Sequence, residues 1–316
     1  MRMALDLARQ ATVGVRPNPK VGAVIVKDGV ILGQGYHKYF GGPHAEIEAL
    51  NNAGGSVQNA TMYVTLEPCC HYGKTPPCTD AIIKAGIKRV VIGMPDPNPL
   101  VHLKSIEILK QNGIQVETGI EEAACKQLNR EFITLITTGF PFVTMKIAQT
   151  FDGRIATRNR HSKWITGSEA RKVGHQMRSE SDAVVVGIGT VLADNPRLTV
   201  RHVNGRMPIR IVMDSRLRIP LESHLLTDEF ADKTIIATTS VDSDRRGKII
   251  SRGAKIWDIP ADNAGRISVP GLLKKSVTEK ISALMVEGGS EVYTSFLKEK
   301  LVHRLVLFLA PKLLGA

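Results

Sequence analysis

A chain of 316 residues, 43% hydrophobic and 23% charged with no low-complexity tract, has room for two ordinary globular domains and is not a disordered polymer. Its four cysteines, three of them clustered, exclude a disulfide-built secreted scaffold and suit a reducing cytoplasm, with metal binding the better use of the thiols. No apolar run approaches the roughly 18 residues of a membrane span, and Met1–Gln10 carries an acid and two arginines, so neither membrane insertion nor a secretory leader is expected.

In chain order, residues 1–11 predict an amphipathic helix. Val21–Val26 predicts a near-continuous apolar strand. Lys27-Asp28-Gly29 predicts a tight hairpin, because Asp-Gly supplies the positive φ such a turn needs, and Val30–Gly35 returns. His44–Asn52 predicts a helix entered through Gly41-Gly42-Pro43. Then follow strand Thr61–Leu66, helix Asp80–Ala85, strand Arg89–Met94, helix Ser105–Asn112, strand Ile114–Glu117 and a longer helix Glu121–Thr137. This alternation predicts a sheet with helices on both faces. Thr138-Gly139-Phe140-Pro141 is the candidate linker. Beyond it the pattern restarts: strand Phe142–Ile147, helix Ser168–Ser179, and strands Ala183–Gly187, Ile209–Asp214, Lys233–Thr238 and Lys255–Ile259. A helix near Val269–Lys275, strand Ala283–Glu287, helix Ser290–Lys298 and strand Arg304–Ala310 complete it. The domains expected are residues 1–139 and 140–316.

The net charge of +12 is uneven: residues 141–316 hold 28 of the 42 Lys+Arg and 18 of the 30 Asp+Glu. A solvated basic surface explains this plainly. A surface for polyanions, either phosphorylated small molecules or nucleic acid, explains it functionally. The basic stretch between Lys146 and Arg178 lacks the interleaved aromatics of a single-strand groove.

The chemistry is carried by His44-Ala45-Glu46, then Pro68-Cys69, then Cys78. One imidazole and two thiolates give zinc three ligands and leave a fourth position for water, which marks a catalytic rather than a closed site. His-x-Glu followed by Pro-Cys and a second Cys is the pattern of zinc nucleobase deaminases. His44, Cys69 and Cys78 are the expected metal ligands. Glu46 is the expected general acid and base, moving protons between water and the leaving ammonia. A lone His or Cys is usually a satisfied polar residue or a small buried apolar one. The ordered combination is what carries the reading. Cys70 is a rival ligand, but adjacent cysteines point apart. Eight residues, Cys70 among them, separate Cys69 and Cys78 where the general pattern has two. Within this loop Lys74 could contact a phosphate and His71 a ring edge, or both are simply solvated.

EPCCHYGKTPPC (67–78), RPNPKVGAVIVKDG (16–29) and PDPNP (95–99) resemble the deaminase half of the bifunctional riboflavin biosynthesis family. KIAQTFDGRIA, HSKWITG, GIGTVLADNPRLTVR, VMDS, VEGGSE and LAPKLLG resemble its reductase half. The resemblance implies a cytidine-deaminase-like α/β/α sandwich followed by a dihydrofolate-reductase-like α/β domain. It implies deamination of diaminohydroxyphosphoribosylaminopyrimidine and then NADPH-dependent reduction of the ribosyl group to ribityl. It further implies that Asn18 helps hold the pyrimidine. Ala148, Trp164, Thr190, Asp194 and Ser215 match cofactor-contacting positions. Ser162, Arg178, Leu198, Arg201 and Glu287 match substrate-contacting ones. Gly288-Gly289, between a strand and a helix, suits close approach of a pyrophosphate, and Arg178 and Arg201 could fork onto a phosphate. No G-x-G-x-x-G is present, so a Rossmann fold is not supported.

Three departures stand out. Cys70 replaces the family's common Ser. Val101-His102-Leu103-Lys104-Ser105 fills a stretch where glycines are usual, which predicts a different loop shape. Family members continue for several dozen residues, which implies a reductase half without its C-terminal end. The expected partners are phosphorylated aminopyrimidines and a second copy of the chain, with no nucleic acid. The alternatives are a tRNA-editing deaminase with a basic accessory domain and a non-enzymatic protein with a structural zinc.

Overall fold

The computed structural model describes residues 1–73, 76–157 and 165–315. The chain divides into two compact units, Met1–Gly139 and Phe140–Ala316.

The first unit runs α1 (Arg2–Arg9), β1 (Gly22–Lys27), β2 (Val30–Tyr36), α2 (Ala45–Asn51), β3 (Thr61–Leu66), α3 (Cys78–Lys84), β4 (Arg89–Met94), α4 (Lys104–Gln111), β5 (Gln115–Thr118), α5 (Glu122–Leu128) and α6 (Arg130–Thr138). Its five strands are ordered β2-β1-β3-β4-β5, with β1 antiparallel to both neighbours and β3, β4 and β5 parallel. The Asp-Gly turn forms as the sequence predicts. Asp28 and Gly29 take φ of 49° and 80°, and Lys27 pairs with Val30 across the hairpin. Helix α2 lies directly on β2. A Cβ at Gly33 would fall 2.2 Å from the Ala49 carbonyl oxygen, and one at Gly35 2.4 Å from the Glu48 Cβ. Only glycine permits that approach, and it fixes the start of α2, where His44 and Glu46 stand.

One element differs from the sequence expectation. The single helix predicted over Glu121–Thr137 breaks at Asn129, which takes φ −108° and ψ 18°. The buried Asn129 amide accepts from the Lys20 N–H at 2.8 Å and donates to the Lys20 carbonyl at 3.0 Å. Two hydrogen bonds on a buried backbone outweigh the loss of helix continuity.

The second unit runs β6 (Phe142–Thr150), α7 (Ser168–Ser179), β7 (Ala183–Gly187), α8 (Ile188–Asp194), β8 (Ile209–Met213), α9 (His224–Thr227), β9 (Thr234–Thr238), α10 (Ser243–Ile250), β10 (Lys255–Asp258), α11 (Val269–Thr278), β11 (Ala283–Gly288), α12 (Ser290–Lys298) and β12 (Arg304–Ala310). Its seven strands are ordered β10-β9-β8-β7-β11-β6-β12, and every pairing is parallel. The near-continuous apolar runs of β7, β8, β9 and β11 follow from burial on both faces. Val185, Ile211, Leu284 and Val286 face one core, and Val184, Val186, Val212 and Met285 the other. The short helices α8, α9 and α10 are not foreseen in the sequence. Helix α8 opens on Gly187-Ile188-Gly189, which resembles an ordinary turn. Helix α10 is mostly polar and is set by its cap, the Asp242 carboxylate accepting from the Arg245 N–H at 3.0 Å.

The chain lays down β7, β8, β9 and β10 outward in one direction, then returns to insert β11 between β7 and β6. In a parallel sheet the carboxyl ends of strands at such a reversal open a crevice for ligands. Among the described residues no helix is long and apolar enough to cross a membrane.

Candidate active sites

His44 is the N-cap of α2, and Cys78 is the first residue of α3. Cys69 lies in the loop after β3. The His44 Nδ1 stands 3.4 Å from the Cys69 Sγ and 3.3 Å from the Cys78 Sγ, and the three donor atoms lie within 4.8 Å of one another. A tetrahedral zinc with Zn–S near 2.3 Å and Zn–N near 2.0 Å separates neighbouring ligand atoms by about 3.6 Å. The triangle therefore fits the ion. Its protonation fits too. A hydrogen bond from Cys78 pulls the Cys69 thiol down to about 4, with His44 adding to the effect, while Cys78 is pushed well above the usual thiol range. The Cys78 backbone N–H, at the start of α3, also donates to the Cys69 Sγ at 3.3 Å. Three donors that share protons in this way exchange them for a cation. Glu46 is only 3% exposed, and burial pushes its carboxyl up to about 7, which suits proton transfer in both directions near neutrality. Cys70 points elsewhere, its Sγ towards the Leu100 carbonyl at 3.9 Å.

The second site forms along the carboxyl ends of the parallel strands. Ala148 lies near the end of β6, Thr190 in α8 just beyond β7, Ser215 just beyond β8, and Gly289 between β11 and α12. Gly289 takes φ 90°, and a Cβ on Gly288 would meet the Thr190 Oγ1 at 2.9 Å, so the Thr190 side chain packs directly on the bare backbone of Gly288. Asp194 ends α8. A register shift between Val286 and Gly288 makes Glu287 the extra residue of a bulge, a device that re-aims a side chain. Its carboxylate takes the Arg178 guanidinium in a two-pronged pair at 2.5 and 2.7 Å. The fork of Arg178, which the sequence suggests for a phosphate, is thus occupied by Glu287. Arg178 also donates to the Thr199 carbonyl at 3.0 Å. Leu198, buried with φ 53°, turns the chain so that the exposed Arg201 follows, its guanidinium resting on the Thr199 Oγ1 at 2.5 Å. Lys74, Ser162 and Trp164 lie outside the described residues.

Comparison with known proteins decides what these two sites belong to. A family model described as the RibD C-terminal domain matches residues 141–316, and one described as the cytidine and deoxycytidylate deaminase zinc-binding region matches residues 1–94. The riboflavin biosynthesis protein RibD of Aquifex aeolicus is 46% identical over all of this chain and 87% of its own length. That of Escherichia coli is 40% identical over all of this chain and 88% of its own. The chain belongs to the RibD family. A crystal structure from Thermotoga maritima, of a diaminohydroxyphosphoribosylaminopyrimidine deaminase/5-amino-6-(5-phosphoribosylamino)uracil reductase, superposes with a TM-score of 0.88 at 41% identity, covering all of this chain and 87% of that one. As a RibD protein the chain is a bifunctional enzyme of riboflavin biosynthesis, with zinc-dependent deaminase and NADPH-dependent reductase activities. Its folds are those the resemblance implied, deaminase-like and then reductase-like. The basic second half is therefore a RibD reductase domain, and nothing in the comparisons supports the tRNA-editing alternative.

Around the candidate deaminase site stand residues that sequence reasoning passed over. His37 is 3% exposed and meets the His44 ring edge-on, with centroids 5.5 Å apart. Its Nδ1 bonds the Pro43 carbonyl at 2.9 Å and its Nε2 the Asn18 Nδ2 at 3.1 Å. A carbonyl only accepts, so Nδ1 carries the proton and Nε2 accepts from Asn18. Burial lowers the pKa of His37 and keeps it neutral. Asn18 is thereby tied to the segment that delivers His44. The buried Glu67, beside Pro68-Cys69, accepts from the Asp96 N–H at 3.0 Å, the Leu103 N–H at 3.2 Å and the Ser105 hydroxyl at 2.6 Å. It organises the Val101–Ser105 stretch that departs from the family pattern. There Val101 is buried and Leu103 adopts φ 61°, a conformation glycine would take at less cost. His71 turns its Nδ1 inward, where it has no partner among the described residues. Glu67 had a signal in its place beside Pro68-Cys69; His37, one histidine among nine, had none.

Proposed function

We propose that Met1–Gly139 deaminates diaminohydroxyphosphoribosylaminopyrimidine and that Phe140–Ala316 reduces the deaminated product, 5-amino-6-(5-phosphoribosylamino)uracil. The observation that carries the first assignment is the His44, Cys69 and Cys78 triangle with the buried Glu46 beside it. Zinc held by that triangle would activate a water for attack. Glu46 takes the proton from the attacking water and hands it to the departing amine. A C–O bond forms, the C–N bond breaks, and ammonia leaves. Asn18, with its Nδ2 committed to His37, keeps its amide oxygen for the pyrimidine edge, and Lys74 serves the substrate phosphate.

When bound in the second unit, NADPH would supply a hydride for the C1′ of the ring-opened ribosyl imine, whose nitrogen would take its proton from water. Ala148, Trp164, Thr190, Asp194, Ser215 and Gly289 hold the dinucleotide along the strand ends. Ser162, Leu198, Arg201 and Glu287 hold the substrate, and Arg178 holds Glu287. Arg201 contacts the phosphate. The neighbouring Arg197 and Arg178 lower its pKa after burial does, so it stands in a cluster of positive charge suited to a dianion. We further read the enzyme as a cytoplasmic homo-oligomer that binds no nucleic acid. Free thiols support the compartment, and the half-exposed row Leu305, Leu307 and Leu309 on β12 supports association.

The test is incubation with the pyrimidine phosphate with and without NADPH, following ammonia release and NADPH oxidation separately. Glu46→Gln should keep zinc, measured by metal analysis, and lose deamination by about 10²–10⁴-fold. Undiminished ammonia release by that variant would sink the proton-shuttle role.

A further inference from the structure

Residues Thr199–Arg201 belong to no strand ladder, yet Thr199 and Val200 are 5% and 6% exposed. Buried backbone groups need partners, and here side chains supply them. The Thr199 carbonyl accepts from Arg178 at 3.0 Å, the Val200 N–H meets the Met207 Sδ at 3.2 Å, and the Arg201 N–H donates to the His175 Nδ1 at 3.2 Å. His175 and Arg178 are three residues apart on α7 and so share a face. That face is the cradle in which the segment lies.

We propose that His175 is a positioning residue of the reductase site, whose neutral ring holds the backbone of Arg201 and so aims that guanidinium at the substrate phosphate. The inference rests on the reading of Arg201 as the phosphate contact. A backbone N–H can only donate, so the Nδ1 of His175 carries no proton and the Nε2 does. The ring is 5% exposed, and His202 packs against it edge-to-face with centroids 4.6 Å apart. Burial, then the charges of Arg178 and Arg201, push its pKa down to about 4, so the acceptor persists at neutral pH. A charged ring would lose the hydrogen bond and repel the guanidinium it serves. A leucine of similar bulk could fill the cradle but could not accept from Arg201.

The experiment uses the full chain and compares His175→Leu, His175→Asn and Arg201→Ala in NADPH oxidation with the deaminated pyrimidine phosphate. Losing one acceptor for a buried N–H corresponds to about tenfold or more. His175→Leu should raise KM for the pyrimidine phosphate by that factor, with kcat and the KM for NADPH within about threefold. His175→Asn, whose Oδ1 replaces the Nδ1, should return KM to within about threefold of the unaltered enzyme. If His175→Leu leaves KM unchanged while Arg201→Ala raises it, the inference falls and the phosphate reading stands. If Arg201→Ala leaves KM unchanged, the phosphate reading itself falls. If His175→Leu does not fold, His175→Asn decides: a KM raised as far as that of Arg201→Ala overturns the acceptor role.

Discussion

Asp228→Ala should cost the second unit about 3–5 kcal/mol, the loss expected when one partner of a buried ion pair is removed. The geometry shows why the upper half of that range applies. Arg210 rises from β8 with its side chain 1% exposed, and Asp228 is 3% exposed. The carboxylate meets the guanidinium at 2.7 and 2.8 Å and also accepts from the Phe230 N–H at 3.1 Å. Without it a buried cation keeps only neutral acceptors: the carbonyls of Arg197, Leu225 and Phe230 and the Thr234 hydroxyl. Against a typical domain stability of about 5–15 kcal/mol, this is about a quarter or more. It corresponds to a melting point lower by about 10 °C. Both tryptophans, Trp164 and Trp257, lie in the second unit, so tryptophan fluorescence during urea or thermal unfolding reports on that unit alone. The double variant Arg210→Met, Asp228→Leu removes the stranded charge but also takes the guanidinium donors from the Arg197, Leu225 and Phe230 carbonyls, of which Leu225 keeps the Thr234 hydroxyl and Phe230 the Lys233 N–H. It should therefore recover part of the loss and not all of it. A change within about 0.5 kcal/mol for Asp228→Ala would refute the reasoning, because that is the range of ordinary surface substitutions.

The stability of the second unit should also fall with acid. The unfolded chain takes up protons at His175 and His303 near pH 6.5, while the folded rings, lowered by burial, resist until about pH 4 in the case of His175. Glu287 adds to the same slope. Burial opposes its ionisation, yet the charge and hydrogen bonds of Arg178 hold its carboxyl below the usual range, so its contribution is lost as pH falls through that lowered pKa. Urea midpoints by tryptophan fluorescence should decrease from pH 7 to pH 4.5; a flat or rising series would contradict the sign. In the first unit, Asn129→Leu should leave zinc bound, since it touches no ligand, but raise the deaminase KM several-fold by releasing the segment that carries Asn18. An unchanged KM would show that this segment holds its own shape.

What the sequence made legible was local or patterned. The Asp-Gly hairpin, the buried parallel strands and the zinc triad each depend on residue types at fixed short spacings. The features that escaped depend on partners far along the chain. Asn129 breaks a helix for the sake of Lys20, 109 residues earlier. Arg210, in an otherwise apolar strand, is buried because Asp228, the Thr234 hydroxyl and the carbonyls of Arg197, Leu225 and Phe230 converge on it. Helix α8 is masked by Gly187 and Gly189, of which Gly187 serves close packing against α12 as much as turning: a Cβ there would meet the Val292 Cγ2 at 2.7 Å. Periodicity cannot report such contacts, because they are set by which strand ends the topology brings together.

The reductase arginines show how far composition alone misleads about charge. A run of basic residues suggests several phosphate-binding guanidiniums. In the structure two arginines of the second unit are committed elsewhere: Arg210 to Asp228, and Arg178 to Glu287. The second commitment has a chemical consequence. Glu287 stands in a bulge at the carboxyl end of β11, buried, where an isolated carboxylate would tend to protonate. Paired with Arg178 it remains an acceptor, able to take hydrogen bonds from ribosyl hydroxyls without drawing the phosphate into the same position. On the proposed reading the phosphate is left to Arg201, whose backbone N–H donates to the neutral His175 and whose side chain rests on Thr199. One face of α7 thus separates two tasks. Arg178 keeps a carboxylate charged, and His175, three residues earlier and uncharged, keeps a cation in place.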